Sequence, residues 1–271
     1  MTSTSSPTTT SPPPSNNCLA NLAACGYPNS SNTGVTPGTT LAVIQGNVTL
    51  TTSGQLYEGK DVRGCITVAA PNVTIRNVKV TCASGDHGGD YVRIRNQSTG
   101  LTVTNVEVNC LDDFGVGIGS ANMLVTRVNV HHCENGFDVS SPGNVTVRDS
   151  YVHDLWAENG AHADGMQWGQ GASNITVDHN TIYNDNTQTA AIIMWDESGS
   201  QNNNVLINNN LLAGGGYTLY CARFGTSTNV VITNNRFAAW FYDYANSCTS
   251  GHVTTWSGNR DDANGALIAG Q

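Results

Sequence analysis

The chain is predicted to be all-β, a right-handed parallel β-helix solenoid of about eight coils. Three observations predict it. First, one phrase returns along the 271 residues as Asn72-Val73-Thr74-Ile75, Gly100-Leu101-Thr102-Val103, Asn122-Met123-Leu124-Val125, Asn144-Val145-Thr146-Val147, Asn174-Ile175-Thr176-Val177, Asn204-Val205-Leu206-Ile207 and Asn229-Val230-Val231-Ile232. Counted from the residue after the Asn or Gly, the intervals are 28, 22, 22, 30, 30 and 25 residues. A period of about 20 to 50 residues marks units that bury their apolar side only by stacking on neighbours. Second, apolar residues in each repeat fall at offsets 0 and 2, then 5 and 7, as in Val73, Ile75, Val78 and Val80. Alternation of period two is a strand with one buried face, and the parity break between the pairs is a corner. Third, another apolar pair follows a polar stretch: Val92/Ile94, Val116/Ile118, Phe137/Val139, Met166/Trp168, a pair within Ala191–Met194, and Leu219/Cys221. Three short strands per repeat with one conserved register exclude antiparallel propellers and sandwiches.

Two regions follow from composition. Residues 1–17 are Ser, Thr, Pro and Asn almost throughout, a linker that cannot bury a core. Such a linker can tether a carbohydrate-binding module and suggests a piece of a longer, secreted protein. Residues 18–271 form the β-helix domain, whose first stretch is expected to cap the open end. The solenoid is expected to be a monomer. No run of 18 apolar residues occurs, so no membrane partner is expected. The net charge of −9, with two lysines, argues against nucleic acid as a partner, because phosphate binding requires a basic face.

Eight cysteines suit disulfides in an extracellular, oxidising setting. Cys82 and Cys110 each follow the last strand residue by two, at one point of adjacent coils about 4.8 Å apart, which predicts a bridge between them. Cys221 and Cys248 flank the last clear coil and form a second candidate pair. The recurrent Asn at the strand entry is expected to stack as a hydrogen-bonded side-chain ladder at a turn.

Coil lengths locate the chemistry. Between its second and third strands the coil starting at Val145 spends 14 residues, Val152 to Met166, where its predecessors spend 7 and 8. Inserts of this kind make the binding wall of a solenoid. This one carries His153, Asp154, Trp156, Glu158, His162 and Asp164; Trp156 is the best candidate for stacking on a sugar. A second excursion, 195–203, carries Asp196 and Glu197. Strand alternation then nominates outward residues: Arg93 and Arg95, Asp138, Gln167 with Asp164 just before, Tyr220, and Arg223 shortly after. Members of this column lie roughly 5 Å apart per coil. Two carboxyl groups one coil apart raise each other's pKa, so one serves as acid and the other as base. Asp138, Asp164 and Asp196 are alternatively candidate Ca2+ ligands. His131 and His153, at matching points of adjacent coils, are weighed as metal ligands with Glu134 or Asp154 against a plain corner ladder.

The stretches Gly64-Cys65-Ile66-Thr67-Val68 before the first phrase, and His162-Ala163-Asp164-Gly165-Met166-Gln167 before Asp178-His179-Asn180-Thr181-Ile182, resemble secreted bacterial right-handed β-helix proteins of the pectate-lyase-like superfamily. The resemblance covers roughly residues 27–262. It implies a carbohydrate-active enzyme with a polysaccharide substrate, and the Asp164–Gln167 stretch is similar to the strand carrying catalytic Asp in polygalacturonases. The paired Asp-Asp, Gly-His-Gly and Arg-Ile-Lys motifs of that group and the pectate-lyase Ca2+ signature are missing. The first expectation is a polysaccharide lyase working by β-elimination on a uronate glycan. In it Asp138, Asp164 and Asp196 hold Ca2+ or neutralise the uronate, and Arg223, or His162 with Tyr220, removes the proton. Arg93, Trp156, Glu158 and Asp196 would bind substrate. The runner-up is a glycoside hydrolase using Asp138 and Asp164, and the third reading is a carbohydrate-binding β-helix without catalysis.

Overall fold

The computed structural model describes residues 16–83, 91–158, 160–169, 171–194, 202–221 and 227–270. Three parallel sheets wind around one apolar interior. The phrase strands form the first sheet: Met123–Thr126 pairs with Gly143–Arg148, then Ser173–Asp178, Asn203–Asn208 and Thr228–Thr233, each in parallel. The offset 5 to 7 strands form the second sheet, including Tyr151–His153, Thr181–Asn184, Leu211–Gly214 and Arg236–Ala238. The third sheet has rungs at Val48–Leu50, Ile66–Val68, Val92–Asn96, 116–120, 135–139, Asp164–Trp168, Ala190–Met194, Tyr217–Tyr220 and Asp243–Asn246. Nine rungs thus stand where about eight coils were expected. Val73, Ile75, Val78 and Val80 are all fully buried, as the offsets require.

The corners explain the phrase. The residue before each first strand is left-handed: Asn72 (φ 59°), Asn122 (57°), Asn144 (54°), Asn174 (56°), Asn204 (56°) and Asn229 (54°), with Gly100 (69°) in the same place. Asn and Gly are the residues that tolerate this region best. The Asn side chains also stack as expected, Asn144 Nδ2 donating to Asn122 Oδ1 at 2.9 Å, Asn174 to Asn144 at 2.8 Å and Asn204 to Asn174 at 3.0 Å. The parity break four residues into each repeat is a second left-handed corner, at Asn77, Asn105, Arg127, Asp149, His179, Asn209 and Asn234.

A second, internal ladder occupies offset 5 of the later coils. Asn180, Asn210, Asn235 and Asn259 are at most 1% exposed. Asn210 Oδ1 accepts from the Asn180 backbone N–H at 2.8 Å, and its Nδ2 donates to Val177 O and Asn235 Oδ1, both at 2.9 Å. Polar groups belong in a core when each finds a partner. Asn210→Ala should therefore cost about 3–5 kcal/mol, since it strands a buried N–H and carbonyl on neighbouring coils. A urea-unfolding midpoint that implies a loss below about 1 kcal/mol would show the ladder dispensable.

Two expectations are corrected here. Cys82 does not bridge Cys110: the disulfides are Cys18–Cys25, Cys65–Cys82, Cys110–Cys133 and Cys221–Cys248. Separations of 17, 23 and 27 residues in the last three all approximate one coil. Cys65, Cys82, Cys110 and Cys133 are thus four cysteines following one another at coil intervals. Joining the middle two would leave the outer two too far apart to pair, whereas joining them in twos uses all four. The Cys221–Cys248 pair forms as expected. Four disulfides suit an oxidising compartment, and no helix among the described residues is long and apolar enough to cross a membrane.

The stretch before the first coil is not an end cap. It is a strap lying along the solenoid. Asp262, in the last coil, accepts from the Cys18 and Leu19 N–H groups at 3.0 and 2.9 Å. Cys18 and Tyr27 pack on Leu211, Ala213 and Ala238 of the second sheet. Gly26 O then meets His179 Nε2, Gly34 N–H reaches Arg127 O, and Thr36 N–H reaches Asn77 Oδ1. The strap travels from the last coil back toward the first, so small apolar and polar side chains on the second sheet are its counterpart.

Candidate functional site

Register builds the site on the outer side of the third sheet. Ile94, Ile118, Phe137, Met166, Ile192 and Leu219 stack inside. The next residue of each strand faces out, giving the column Arg95, Gly119, Asp138, Gln167, Ile193 and Tyr220. A second column, one corner earlier, runs Val92, Val116, Asn135, Asp164 and Ala190. Between the columns the chain turns inward through Gly117, Gly136 and Gly165. A Cβ at Gly136 would sit 2.6 Å from Val152 Cγ1, so only glycine allows the sheet to bend there.

That inward turn corrects the expectation for Arg93. Alternation with Val92 and Ile94 inside placed Arg93 outside, but the corner puts both Arg93 and Ile94 inside and turns Val92 toward solvent. Arg93 is fully buried. Its guanidinium donates to Cys82 O at 3.0 Å, Tyr91 O at 2.9 Å, Phe114 O at 2.5 Å and Cys110 O at 3.3 Å. It is a bracket between coils and is not among the residues that line the cleft outside this sheet.

Outside the two columns lies a cleft of about 860 Å³ bordered by Tyr91, Arg95, Phe114, Glu134, Asp138 and Gln167. A depression of about 350 Å³ adjoins it, lined by Asp138, His162, Asp164, Gln167, Trp168 and Thr189. Asp138 and Gln167 border both, so the two make one groove. Gln167 Nε2 donates to Asp138 Oδ2 at 3.2 Å. The long loop forms one wall: His162 N–H donates to Glu134 Oε1 at 3.2 Å, and Gly115 N–H to Glu134 Oε2 at 3.0 Å. Trp156 packs edge-on against Phe114, with centroids 4.8 Å apart. Glu158 and His162 are exposed on the loop.

Asp164 lies deeper than expected. Its place just before the outward Gln167 promised an exposed carboxylate, but Asp164 is only 3% exposed, and its loop neighbours Ala161 and Ala163 are buried with it. Its N–H donates to Asn135 Oδ1 at 2.9 Å, and its Oδ1 accepts from Ala190 N–H at 3.0 Å. Burial raises its pKa well above the ordinary carboxylate value, the Ala190 hydrogen bond opposes this, and the charges of Glu134 and Asp138 add to the rise. Burial likewise raises Asp138, with the Gln167 amide pulling the other way. Tyr220 stands two coils beyond Gln167, half-exposed and edge-on to Tyr217. Its hydroxyl is raised by burial, then by Tyr217 and Asp164.

Asp196 and Arg223 lie outside the described residues. Arg95, Glu134, Asn135, Tyr91 and Phe114 complete the groove and were not chosen as its substrate or catalytic residues from sequence. The alternation that exposed Asp138 also exposed Arg95; Phe114 enters through the loop bulge at 109–116, opposite Glu134 and Asn135, where the register shifts, which periodicity cannot show.

The two histidines do stack, with His131 and His153 centroids 5.3 Å apart. Their nitrogens are engaged: His153 with Asp154 Oδ2 and Asn129 Oδ1, His131 with His132. His131 and Lys79 together pull Glu107 down to about 2 against the effect of burial. This is a polar ladder along a corner. Among the described residues no group of three His, Cys, Asp or Glu side chains gathers closely enough to hold a metal ion.

A family model described as right-handed β-helix region matches residues 90–264. Neither the curated proteins nor the solved structures yield a match.

Proposed function

The chain belongs to the right-handed β-helix family, and we propose that it is a secreted glycan-cleaving enzyme whose groove works by carboxyl acid–base hydrolysis. One observation carries this reading: Asp138 and Asp164 border the same depression on adjacent coils, and burial raises both. A carboxyl that keeps its proton is a general acid, able to protonate a glycosidic oxygen as the bond breaks. Asp164, the more strongly raised, takes that role. Asp138, half-buried and hydrogen-bonded by Gln167, takes the base role and activates water. Asp164 lies one coil over and three residues back from Asp138, which at about 4.8 Å per coil and 3.3 Å per residue puts the backbones at most about 11 Å apart, and closer through the corner between them. A carboxyl separation of about 6.5–9.5 Å makes such a pair inverting, and about 5–5.5 Å retaining.

The lyase with Ca2+ is the second reading, favoured by Arg95 in the groove and by Tyr220 near Asp164, a candidate base. It asks Asp138 and Asp164, with Asp196, to be ionised oxygen ligands. Incubation with a panel of neutral and uronate polysaccharides, with and without chelator, separates the readings. Hydrolysis predicts new reducing ends, no unsaturated-sugar ultraviolet absorbance and no loss with chelator. Absorbance that chelator abolishes would establish the lyase, and neither product would leave a binding β-helix.

A further inference from the structure

The strap encloses a second cavity on the opposite flank of the solenoid, and we propose that it binds the oxyanion of a small acidic sugar. The cavity is about 420 Å³, large enough for one sugar ring. It lies between the strap, at Gly26 and Tyr27, and the second-corner residues Asn209 and Asn234 of the late coils. Two guanidinium groups from adjacent coils, Arg236 and Arg260, line it, and these positions are register partners. No Asp or Glu is among its described lining residues. In a chain of net charge −9, two arginines meeting in a cavity give this place a locally positive lining.

The Arg236 side chain is 6% exposed. Its Nη1 is paired with Asp262 Oδ1 at 3.1 Å, whereas its buried Nη2 has no hydrogen-bond partner. A buried N–H of a charged group without an acceptor is costly, and native folds rarely leave one so. The missing partner is an acceptor, and a carboxylate or sulfate supplies two or three in the planar spacing that guanidinium matches. Arg260 Nη1 is held by Gly265 O at 2.8 Å, which fixes its head beside the cavity. The Tyr27 hydroxyl stands against the Arg236 guanidinium, and burial pushes it up to about 12, so it stays a donor. The Tyr27 ring is buried and stacks with His179 at 5.9 Å, which holds its hydroxyl in place. His179 itself is tied to Asp149 Oδ1 at 2.7 Å and to Gly26 O, so it serves as wall. Arginines, a protonated phenol and corner amides together fit an acidic sugar.

Calorimetric titration of the full chain with glucuronate, glucose and inorganic sulfate tests this, with Arg95→Gln as background to remove the groove's own cation. Glucuronate is expected to bind and glucose to be silent, and Arg260→Gln should weaken glucuronate at least tenfold. Tyr27→Phe, which removes one hydroxyl and leaves the fold's apolar contacts, should weaken it severalfold and serves if Arg260→Gln lowers the melting temperature. Sulfate binding as tightly as glucuronate would assign the site to the bare oxyanion, and tighter glucuronate would assign it to the sugar. Absence of glucuronate binding, equal binding of glucose, or undiminished binding in both variants would overturn the site and leave Nη2 to a water.

Discussion

Replacing Arg93 by methionine is expected to remove about 3–5 kcal/mol of unfolding free energy, the scale for breaking a buried charged network. The side chain is fully buried and spends its donors on four backbone carbonyls, at Cys82, Tyr91, Phe114 and Cys110. Methionine fills much of the volume and satisfies none of them. Two of those carbonyls belong to cysteines of different disulfides, Cys65–Cys82 and Cys110–Cys133. Arg93 therefore ties one staple to the next across the bulged stretch 109–116. Denaturant unfolding of the oxidised protein should show the loss. The Michaelis constant, measured below the variant's melting temperature, should stay unchanged, because the guanidinium does not reach the groove. Normal stability with a raised Michaelis constant would restore the substrate-binding role that alternation assigned to Arg93.

Arg93 also marks where the sequence stops being legible. Period-two alternation identified the interior faithfully in the middle of each strand: Val73, Ile75, Phe137 and Met166 are all buried. Asp138, Gln167 and Tyr220 face out on one column, as their inside neighbours implied. The first residues of the third sheet were misassigned because a corner there turns two successive residues inward. The glycines at 117, 136 and 165 are the trace of that corner, and Arg93 occupies the same level in the coil before them. Asp164 sits just outside the corner, so its place on the groove side was legible, but its burial depended on how the loop folds over it. Periodicity is silent on such loops. The strap was illegible for a related reason: Tyr27 and Cys18 meet Leu211 and Ala238 across about 200 residues of sequence, a contact no local pattern encodes. Cysteine spacing gave the angular position of the staples but joined Cys82 to Cys110, where each pairs with the cysteine on its other side.

Asp164→Asn is expected to lower turnover at least ~100-fold while leaving the protein folded, the usual scale for loss of one acid–base group. Asparagine keeps an oxygen to accept from Ala190 N–H, whereas Asp164→Ala leaves that buried N–H without an acceptor at a cost of about 1–3 kcal/mol. The Ala variant therefore confounds inactivity with unfolding, and the Asn variant separates them. The pH dependence gives a second, independent mark. Burial raises the folded carboxyl well above 3.8, so the folded protein holds the proton more tightly than the unfolded chain does. Stability from this group is full below the unfolded value and is lost as pH rises through the folded one. Asparagine does not titrate. The melting temperature of the wild type should therefore fall relative to Asp164→Asn as pH climbs above the ordinary carboxylate range. Turnover of the wild type should fall over the same upper limb, because the general acid acts only while protonated. A turnover limb at a pH where the melting-temperature difference has no step would assign the limb to another group. Full turnover in the Asn variant would reduce Asp164 to a structural acceptor for Ala190 and leave Asp138 and Glu134 as the candidate acids of the groove.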